Sequence, residues 1–259
     1  YRCEDVAGRA WVLRRPPLGH LLASAHDMGR EHRIIAALAG SRVPVAPAIG
    51  LCDDPDVNGA GFYVMAFVDG LVLNNSVDGQ QVPAADRHRL GMDVIRILCE
   101  LHTLDPESVG LGDLGRREAY LARQLKRWNT QWEASKTRDL PAMETASRLL
   151  AERMPLQVGA SIVHGDYRLG NFIVSGDRVE AVLDWELCTL GDPLADLGYL
   201  LNNWMTIDEV KHPGITDIAP TAVGGYPTRD EMCDVYTRET GRDLSDILYY
   251  RGFSHWRLA

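Results

Sequence analysis

A chain of 259 residues with 46% hydrophobic and 24% charged residues can bury a full core as one large domain or two lobes, which argues against intrinsic disorder. Its formal net charge of -9 disfavours a general nucleic-acid binder, whose phosphate contacts call for a basic face. Apolar runs such as 62–68 and 197–201 fall far short of the roughly 20 residues of a membrane-crossing helix, so no membrane span is expected.

From the start, residues 1–3 and 10–13 flank a turn at Gly8 and predict an antiparallel hairpin, whose second strand stops at Pro16-Pro17. Residues 24–38 turn helical, with Ile34, Ile35 and Leu38 on one face and Glu31, His32 and Arg33 between or opposite, and Gly40 ends the run. Residues 44–51 suggest an irregular extended linker. The apolar, aromatic and β-branched run 61–68, closed by Asp69-Gly70, predicts a buried strand and a turn. Amphipathic helices are then predicted over 86–104, 117–132 and 142–153. The first sixty or so residues are thus strand-rich and most of the rest helical, the pattern of a small sheet-containing lobe joined to a larger helical one.

One β-rich island interrupts the helices. Residues 162–163, 172–174 and 179–183 are short apolar runs, the last two separated by the turn sequence Ser175-Gly176-Asp177-Arg178. Beyond them Asp192-Pro193 predicts a helix start, aspartate as N-cap and proline at the first helical position. The five cysteines, Cys3, Cys52, Cys99, Cys188 and Cys233, are scattered without CxxC spacing. Neither a disulfide framework nor a zinc site is expected, and a reducing cytoplasm fits best. Both ends of the chain look cut, Tyr1 in a strand and Ala259 in a helix, and the sequence sets no oligomeric state.

The island carries the chemistry: His164-Gly165-Asp166-Tyr167-Arg168-Leu169-Gly170-Asn171, then Leu183-Asp184-Trp185-Glu186. A hairpin turning near Gly176 brings Asn171, before its first strand, beside Asp184, after its second. Two such oxygen donors suit Mg²⁺, which takes one or two protein ligands and fills its shell with phosphates and water. Asp166, on the loop leading in, could accept the proton of an attacking hydroxyl while the metal neutralises charge on a transferred phosphoryl group. Any one of these residues is commonplace in a solvated loop; their joint spacing, with a glutamate-bearing helix upstream, is not. A His/Asp metallohydrolase would need a second histidine-carboxylate cluster at ligand spacing, which is absent.

This segment resembles the aminoglycoside phosphotransferase family of kinase-like small-molecule phosphotransferases, marked by H-G-D-x-x-x-x-N and a following apolar-D-W/F. The Val12-to-Pro17 opening, the Arg30-Glu31 helix and Leu190-Gly191-Asp192-Pro193 further resemble the kinase-like domains associated with acyl-CoA dehydrogenases. The resemblance implies an α+β, protein-kinase-like two-lobe fold, a nucleotide-binding lobe over 1–68 and a helical lobe over 69–259, using ATP and Mg²⁺. It also implies roles. Asp166 becomes the catalytic base, with Arg168 a fixed positive charge near the γ-phosphate. Asn171, Asp184 and the assisting Glu186 hold the metal, while His164 and Asp196 support the loop. Glu31 pairs with a phosphate-binding cation that falls on Arg14, or on Arg15 in the other register. Met65 faces adenine, and the backbone of Ala66 to Val68 offers it hydrogen bonds. The phosphate-covering glycine-rich loop is expected before Tyr1.

The implied activity is transfer from ATP to a small-molecule hydroxyl. For the acceptor a hydroxyacyl-CoA is favoured over an aminoglycoside, with Arg123, Lys126 and Arg127 as candidate phosphate contacts; the basic run 116–138 can equally be a solvated face. Trp128 and Trp132, one turn apart, suit helix packing better than a substrate platform. The region after Thr206, with 224–227 as a loop, is expected to shape the acceptor pocket. The alternative is a nucleotide-binding pseudokinase, suggested by arginine where a lysine is usual and opposed by the intact Asp166, Asn171 and Asp184.

Overall fold

The computed structural model describes residues 1–16, 27–211 and 218–259. The chain begins with strands β1 (Arg2–Glu4) and β2 (Ala10–Arg14), followed by helix α1 (Met28–Leu38), β3 (Ala48–Cys52), a short α2 (Pro55–Asn58) and β4 (Phe62–Ala66). These strands form one antiparallel sheet in the order β1-β2-β4-β3. Next come helices α3 (Ser76–Gln81), α4 (Ala84–Thr103), α5 (Tyr120–Ser135) and α6 (Pro141–Glu152). Strands β5 (Ser161–Val163), β6 (Phe172–Ser175), β7 (Arg178–Val182) and β8 (Thr189–Gly191) make two small antiparallel pairs, β5-β8 and β6-β7. Helices α7 (Leu194–Asn202), α8 (Arg229–Thr240) and α9 (Ile247–Leu258) complete an α+β, two-lobe, kinase-like architecture.

Each element follows from local chemistry. Helix α1 starts where Asp27 accepts the Arg30 N–H at 2.9 Å; the earlier predicted turn, 24–26, lies outside the described residues. Its apolar stripe, Met28, Ile34, Ile35 and Leu38, is buried, and Glu31 is buried among them. Helix α7 is apolar apart from Asp196, Tyr199 and Asn202, and all its residues from Leu194 to Leu201 are buried; it lies in the core of the large lobe. Helix α9 packs so closely along it that a Cβ at Gly198 would come within 2.8 Å of Tyr250 Cβ. Behind both, α4 buries Leu90, Val94, Ile95, Leu98 and Leu101.

The lobes are joined by backbone pairing as well as by the connecting chain: the Val182 N–H donates to Pro44 O at 2.8 Å. Just past the connection, Leu71 and Val174 of the large lobe exchange two N–H···O bonds at 2.9 Å each. Apolar side chains of both lobes form one core cluster.

Four expectations need correction. Residues 44–51 are not simply a linker: β3 occupies 48–52 and pairs with β4, its register slipping between Ala48 and Gly50, an irregularity that Pro47 and Gly50 conceal in the sequence. The strand at 61–68 is only half-buried. Tyr63 is covered but Phe67 is exposed, because α1 covers one face of this sheet and leaves the other open. Leu190 and Gly191, for which the sequence suggested no strand, belong to β8 and pair with β5. Helix α5 starts at Tyr120 rather than 117 and runs on to Ser135.

All five cysteines are free. Among the described residues no helix is long and apolar enough to cross a membrane.

Candidate active site

The loop between β5 and β6 is clamped from below. Asp196, in the first turn of α7, accepts the His164 N–H at 2.6 Å and the Gly165 N–H at 2.8 Å. Burial opposes the charge on Asp196, but His102 and the loop donors hold its carboxyl below the ordinary range. His102 stands behind it, with Nε2 3.4 Å from Asp196 and Nδ1 2.8 Å from the Tyr236 hydroxyl. Gly165 has φ +88°, and a Cβ there would meet Leu187 Cβ at 2.8 Å and its carbonyl oxygen at 2.9 Å. Glycine is therefore demanded by both conformation and space.

His164 links this loop to the hairpin. Its Nδ1 accepts the Asp166 N–H at 3.2 Å, which leaves the proton on Nε2 to donate to Leu183 O at 2.8 Å. Its ring also packs on Trp185, centroids 4.8 Å apart.

The hairpin does what its spacing promised. Asn171 ends a single 3-10 turn, Leu169–Asn171, and its carbonyl accepts the Leu183 N–H at 2.8 Å, which brings it next to Asp184. Asn171 Nδ2 donates to Asp166 O at 2.8 Å and to Asp166 Oδ2 at 2.7 Å, leaving its amide oxygen uncommitted in these bonds. Asp184 takes a left-handed backbone, φ 63° and ψ 64°, a conformation that aspartate tolerates better than most residues. Arg168 Nε lies 3.6 Å from Asp166 Oδ2, whose side chain is 22% exposed and so reachable from the cleft.

From the small lobe, Arg14 closes the cleft. Its Nε is 2.7 Å from Glu31 Oε2, its Nη2 donates to Asp184 Oδ1 at 2.7 Å, and Glu186 Oε2 is 3.6 Å away. Burial weakens the charge on Arg14, yet Glu31 and Asp184 more than restore it, carrying its pKa above the usual value. Arg15 instead donates to Asn58 at 3.0 Å, away from the cleft, so the chain brings Arg14 and not Arg15 to this site. Four participants, Tyr63, Arg30, Tyr199 and Arg257, were missed. The Tyr63 hydroxyl donates to Glu31 Oε2 at 3.1 Å, and Tyr63 pairs with Arg14 across β4 and β2. Arg30 donates to Cys188 O, and to Glu186 O and Leu114 O at 3.4 Å each, pinning α1 to the segment after Asp184. Tyr199 on α7 turns its ring to Arg257, whose guanidinium carbon lies 4.7 Å from the ring centre and which reaches the loop at Gly165.

Met65 lies two residues from Tyr63 on β4, so pleating puts both on the face turned to α1. The Ala66 N–H is committed to Pro47 O at 2.9 Å and the Phe67 N–H to Ala10 O at 3.4 Å, which limits the N–H groups that 66–68 can offer a base to that of Val68.

Two features sit differently from expectation. Lys126 and Arg127 are exposed, and Arg123 donates to Arg116 O at 2.7 Å. A cavity of about 390 Å³ is lined instead by Trp128, Trp132, Lys136, Arg138, Met143 and Arg257. The indole N–H groups of Trp128 and Trp132 are buried without a partner among the described residues. Arg257 also donates to Gly165 O at 3.0 Å, so this cavity abuts the Asp166 loop. The 224–227 loop packs elsewhere: Trp204 Nε1 donates to Pro227 O at 2.8 Å and its ring meets Tyr226 edge-on. Residues 212–217 lie outside the described residues.

The sequence profile of the phosphotransferase enzyme family, APH, matches residues 1–227. The chain belongs to that family. It is 36% identical over 259 residues to acyl-CoA dehydrogenase family member 10 of Mus musculus, a match covering 98% of this chain and 24% of that protein; acyl-CoA dehydrogenase family member 11 of Homo sapiens gives 32% identity over 97% and 32% of the two chains. The chain thus spans a third or less of the length of these curated relatives. Among solved structures, one from Ralstonia eutropha, classed provisionally as an aminoglycoside phosphotransferase, superposes with TM-score 0.77 and 34% identity over 96% of this chain and 74% of that one. The APH fold and a small-molecule phosphotransferase family membership follow; the acceptor does not.

Proposed function

We propose that this APH-family chain moves the γ-phosphoryl group of ATP onto a hydroxyl of a small molecule. The observation that carries this reading is convergence across one cleft: Asp166, Asn171 and Asp184 from the large lobe meet Arg14 and Glu31 from the small lobe. Division into 1–68 and 69–259 is kept as the lobe boundary.

The residues fit an octahedral hard cation. One carboxylate and one amide oxygen, Asp184 and Asn171, would hold Mg²⁺, with Glu186 assisting from the rim, leaving room for phosphate oxygens and water. Among the described residues no group of three or more His, Cys, Asp or Glu side chains stands ready to hold a metal, which suits an ion shared with its nucleotide. When bound, that ion supplies charge neutralisation on the phosphates.

The chain's own groups do the rest. Asp166, oriented by Asn171, accepts the proton of the acceptor hydroxyl as its oxygen attacks phosphorus. Arg168 offers a fixed positive charge beside the transferred group. Arg14, held by Glu31, binds nucleotide phosphate oxygens, and Met65 with the backbone of Ala66 to Val68 supports the adenine.

For the acceptor we favour a hydroxyacyl-CoA over an aminoglycoside. The cavity beside the Asp166 loop presents Lys136, Arg138 and Arg257 with two tryptophans, a lining that attracts anionic groups and repels polycations. A relative named for acyl-CoA chemistry supports the same choice. The test is a screen of Mg-ATP against hydroxyacyl-CoA and aminoglycoside panels, following ADP release with an Asp166→Ala control. Turnover on the thioesters that depends on Asp166 supports the reading, and turnover on aminoglycosides alone overturns the acceptor choice. ATP binding with no Asp166-dependent turnover on either panel favours the pseudokinase.

A further inference from the structure

The peptide that joins Gly165 to Asp166 is held at both ends. Its N–H, on Asp166, donates to His164 Nδ1 at 3.2 Å, and its carbonyl, on Gly165, accepts from Arg257 Nη2 at 3.0 Å. Because the peptide is planar, bonds at its two opposite edges restrict its rotation, and with it the direction in which the Asp166 side chain leaves the backbone. Gly165 has little freedom to compensate, since its own N–H is tied to Asp196 Oδ1 at 2.8 Å and it lies close against Leu187. His164 belongs to the loop itself, whereas Arg257 reaches it from α9.

The same side chain lines the cavity of about 390 Å³ shared with Trp128, Trp132, Lys136 and Arg138, a volume in the range of small-molecule sites. Its guanidinium carbon lies 4.7 Å from the centre of the Tyr199 ring and 5.7 Å from that of Trp128, rings that favour its charge. A guanidinium has five N–H donors. Among the described residues Gly165 O is the one hydrogen-bond acceptor that Arg257 meets, and no carboxylate is ion-paired with it. Donors therefore remain on the one residue that touches both the cavity and the peptide before Asp166.

We infer that Arg257 is a positioning and specificity residue that couples the acceptor cavity to the catalytic loop: its bond to Gly165 O orients Asp166, and its spare N–H donors take a carbonyl oxygen that the acceptor carries close to its reacting hydroxyl. This rests on the reading of Asp166 as the base and of the cavity as the acceptor's. The closeness of the two acceptor groups follows from adjacency, since the carbonyl that Arg257 holds belongs to the residue next to Asp166. The planar fork matters as much as the charge, because separate N–H groups can serve the loop and the acceptor at once, which a single ammonium on a flexible stem does less well. Misplacing the base is costly, since a shift on the order of 1 Å can lower a rate about a hundredfold.

The test compares wild type, Arg257→Met and Arg257→Lys on two acceptors, a hydroxyacyl-CoA and the matching hydroxyalkyl thioether of CoA, which keeps the hydroxyl and the phosphates and lacks the carbonyl. Turnover is measured with Mg-ATP, alongside calorimetric Mg-ATP affinity and thermal unfolding. Arg257→Met should lower kcat at least about tenfold on both acceptors, because the loop loses its tie, while the Kd for Mg-ATP stays within about twofold of wild type. It should also raise KM about tenfold for the thioester, the loss of a charge-assisted hydrogen bond, and leave KM for the thioether within about twofold. Arg257→Lys should recover most of the KM and less of the kcat. Wild-type kcat in Arg257→Met, equal KM changes on the two acceptors, or full recovery of kcat by lysine would overturn the inference while leaving the base in place. A parallel loss of Mg-ATP affinity and thermal stability in both variants would reduce Arg257 to a structural residue and overturn it too. Wild type without Asp166-dependent turnover of either acceptor would overturn the acceptor reading and this inference with it.

Discussion

Arg14 Nη2 donates to Asp184 Oδ1 at 2.7 Å while Arg14 Nε sits 2.7 Å from Glu31 Oε2. The cation proposed for the nucleotide phosphates thus bridges the helix glutamate and the proposed metal ligand, and phosphates entering the cleft would exchange one oxygen partner of this guanidinium for another.

Substitution of Arg14 separates its two duties. Arg14→Ala leaves Glu31 buried without its cation, which costs on the order of 3 kcal/mol of stability, and it should raise KM for ATP at least about tenfold with little effect on the acceptor KM. Arg14→Lys should recover part of both losses. Arg15→Ala should change neither, since Arg15 bonds Asn58. Equal sensitivity of the two arginines would contradict the assignment.

Asp166 and Asp184 should fail in different ways. Asp166→Ala should lower transfer by about a hundredfold or more with Mg-ATP affinity nearly unchanged. Asp184→Ala should remove the Mg²⁺ dependence of nucleotide binding, measured by calorimetry with and without the metal. A matching loss of metal-dependent affinity in both variants would show that the roles are not divided this way.

Gly165→Ala should destabilise the catalytic loop. The new Cβ meets Leu187 and the residue must hold φ +88°; backbone strain alone costs about 1–3 kcal/mol. Urea unfolding should show a loss at least that large, and activity should fall with it, whereas Gly176→Ala, where the added Cβ meets open space, should lose less.

His102 predicts an acid-sensitive stability. Buried between Asp196 and Tyr236, it is held below the ordinary imidazole value of 6.5, burial outweighing the attraction of Asp196. The unfolded chain then binds this proton more readily than the folded one, so stability is full above about pH 6.5 and falls as pH drops from there toward the folded pKa. Between about pH 7.5 and 5.5 wild type should lose on the order of 1 kcal/mol more than His102→Gln in urea titrations. Parallel pH slopes for the two proteins would contradict it.

The parts of the site legible in the sequence are those set by local spacing. Asn171 and Asp184 converge because β6 and β7 form a tight hairpin, whose turn residues and apolar runs are contiguous. Asp196 was placed for a related reason, standing in the first turn of a helix that follows at once. Tyr63, Tyr199, Arg30 and Arg257 were not legible, because their roles depend on contacts between distant segments: Arg30 reaches Cys188 and Arg257 reaches Gly165. The choice between Arg14 and Arg15 likewise needed the β2-β4 register, which puts Arg14 opposite Tyr63. For the fold, the strand-rich start and helical remainder were readable from periodicity, while β3 and β8 were hidden by a glycine within each short strand, Gly50 and Gly191, and a proline close by, Pro47 and Pro193.

The central claim is that Asp166 drives transfer of the γ-phosphoryl group to an acceptor hydroxyl. It is tested most directly by following the label from γ-labelled ATP, with Mg²⁺ and a hydroxyacyl-CoA, in wild type and in Asp166→Ala. The account predicts label on the acceptor hydroxyl with wild type and none above background with the variant, while both proteins bind ATP alike; label reaching the acceptor equally with both would contradict it.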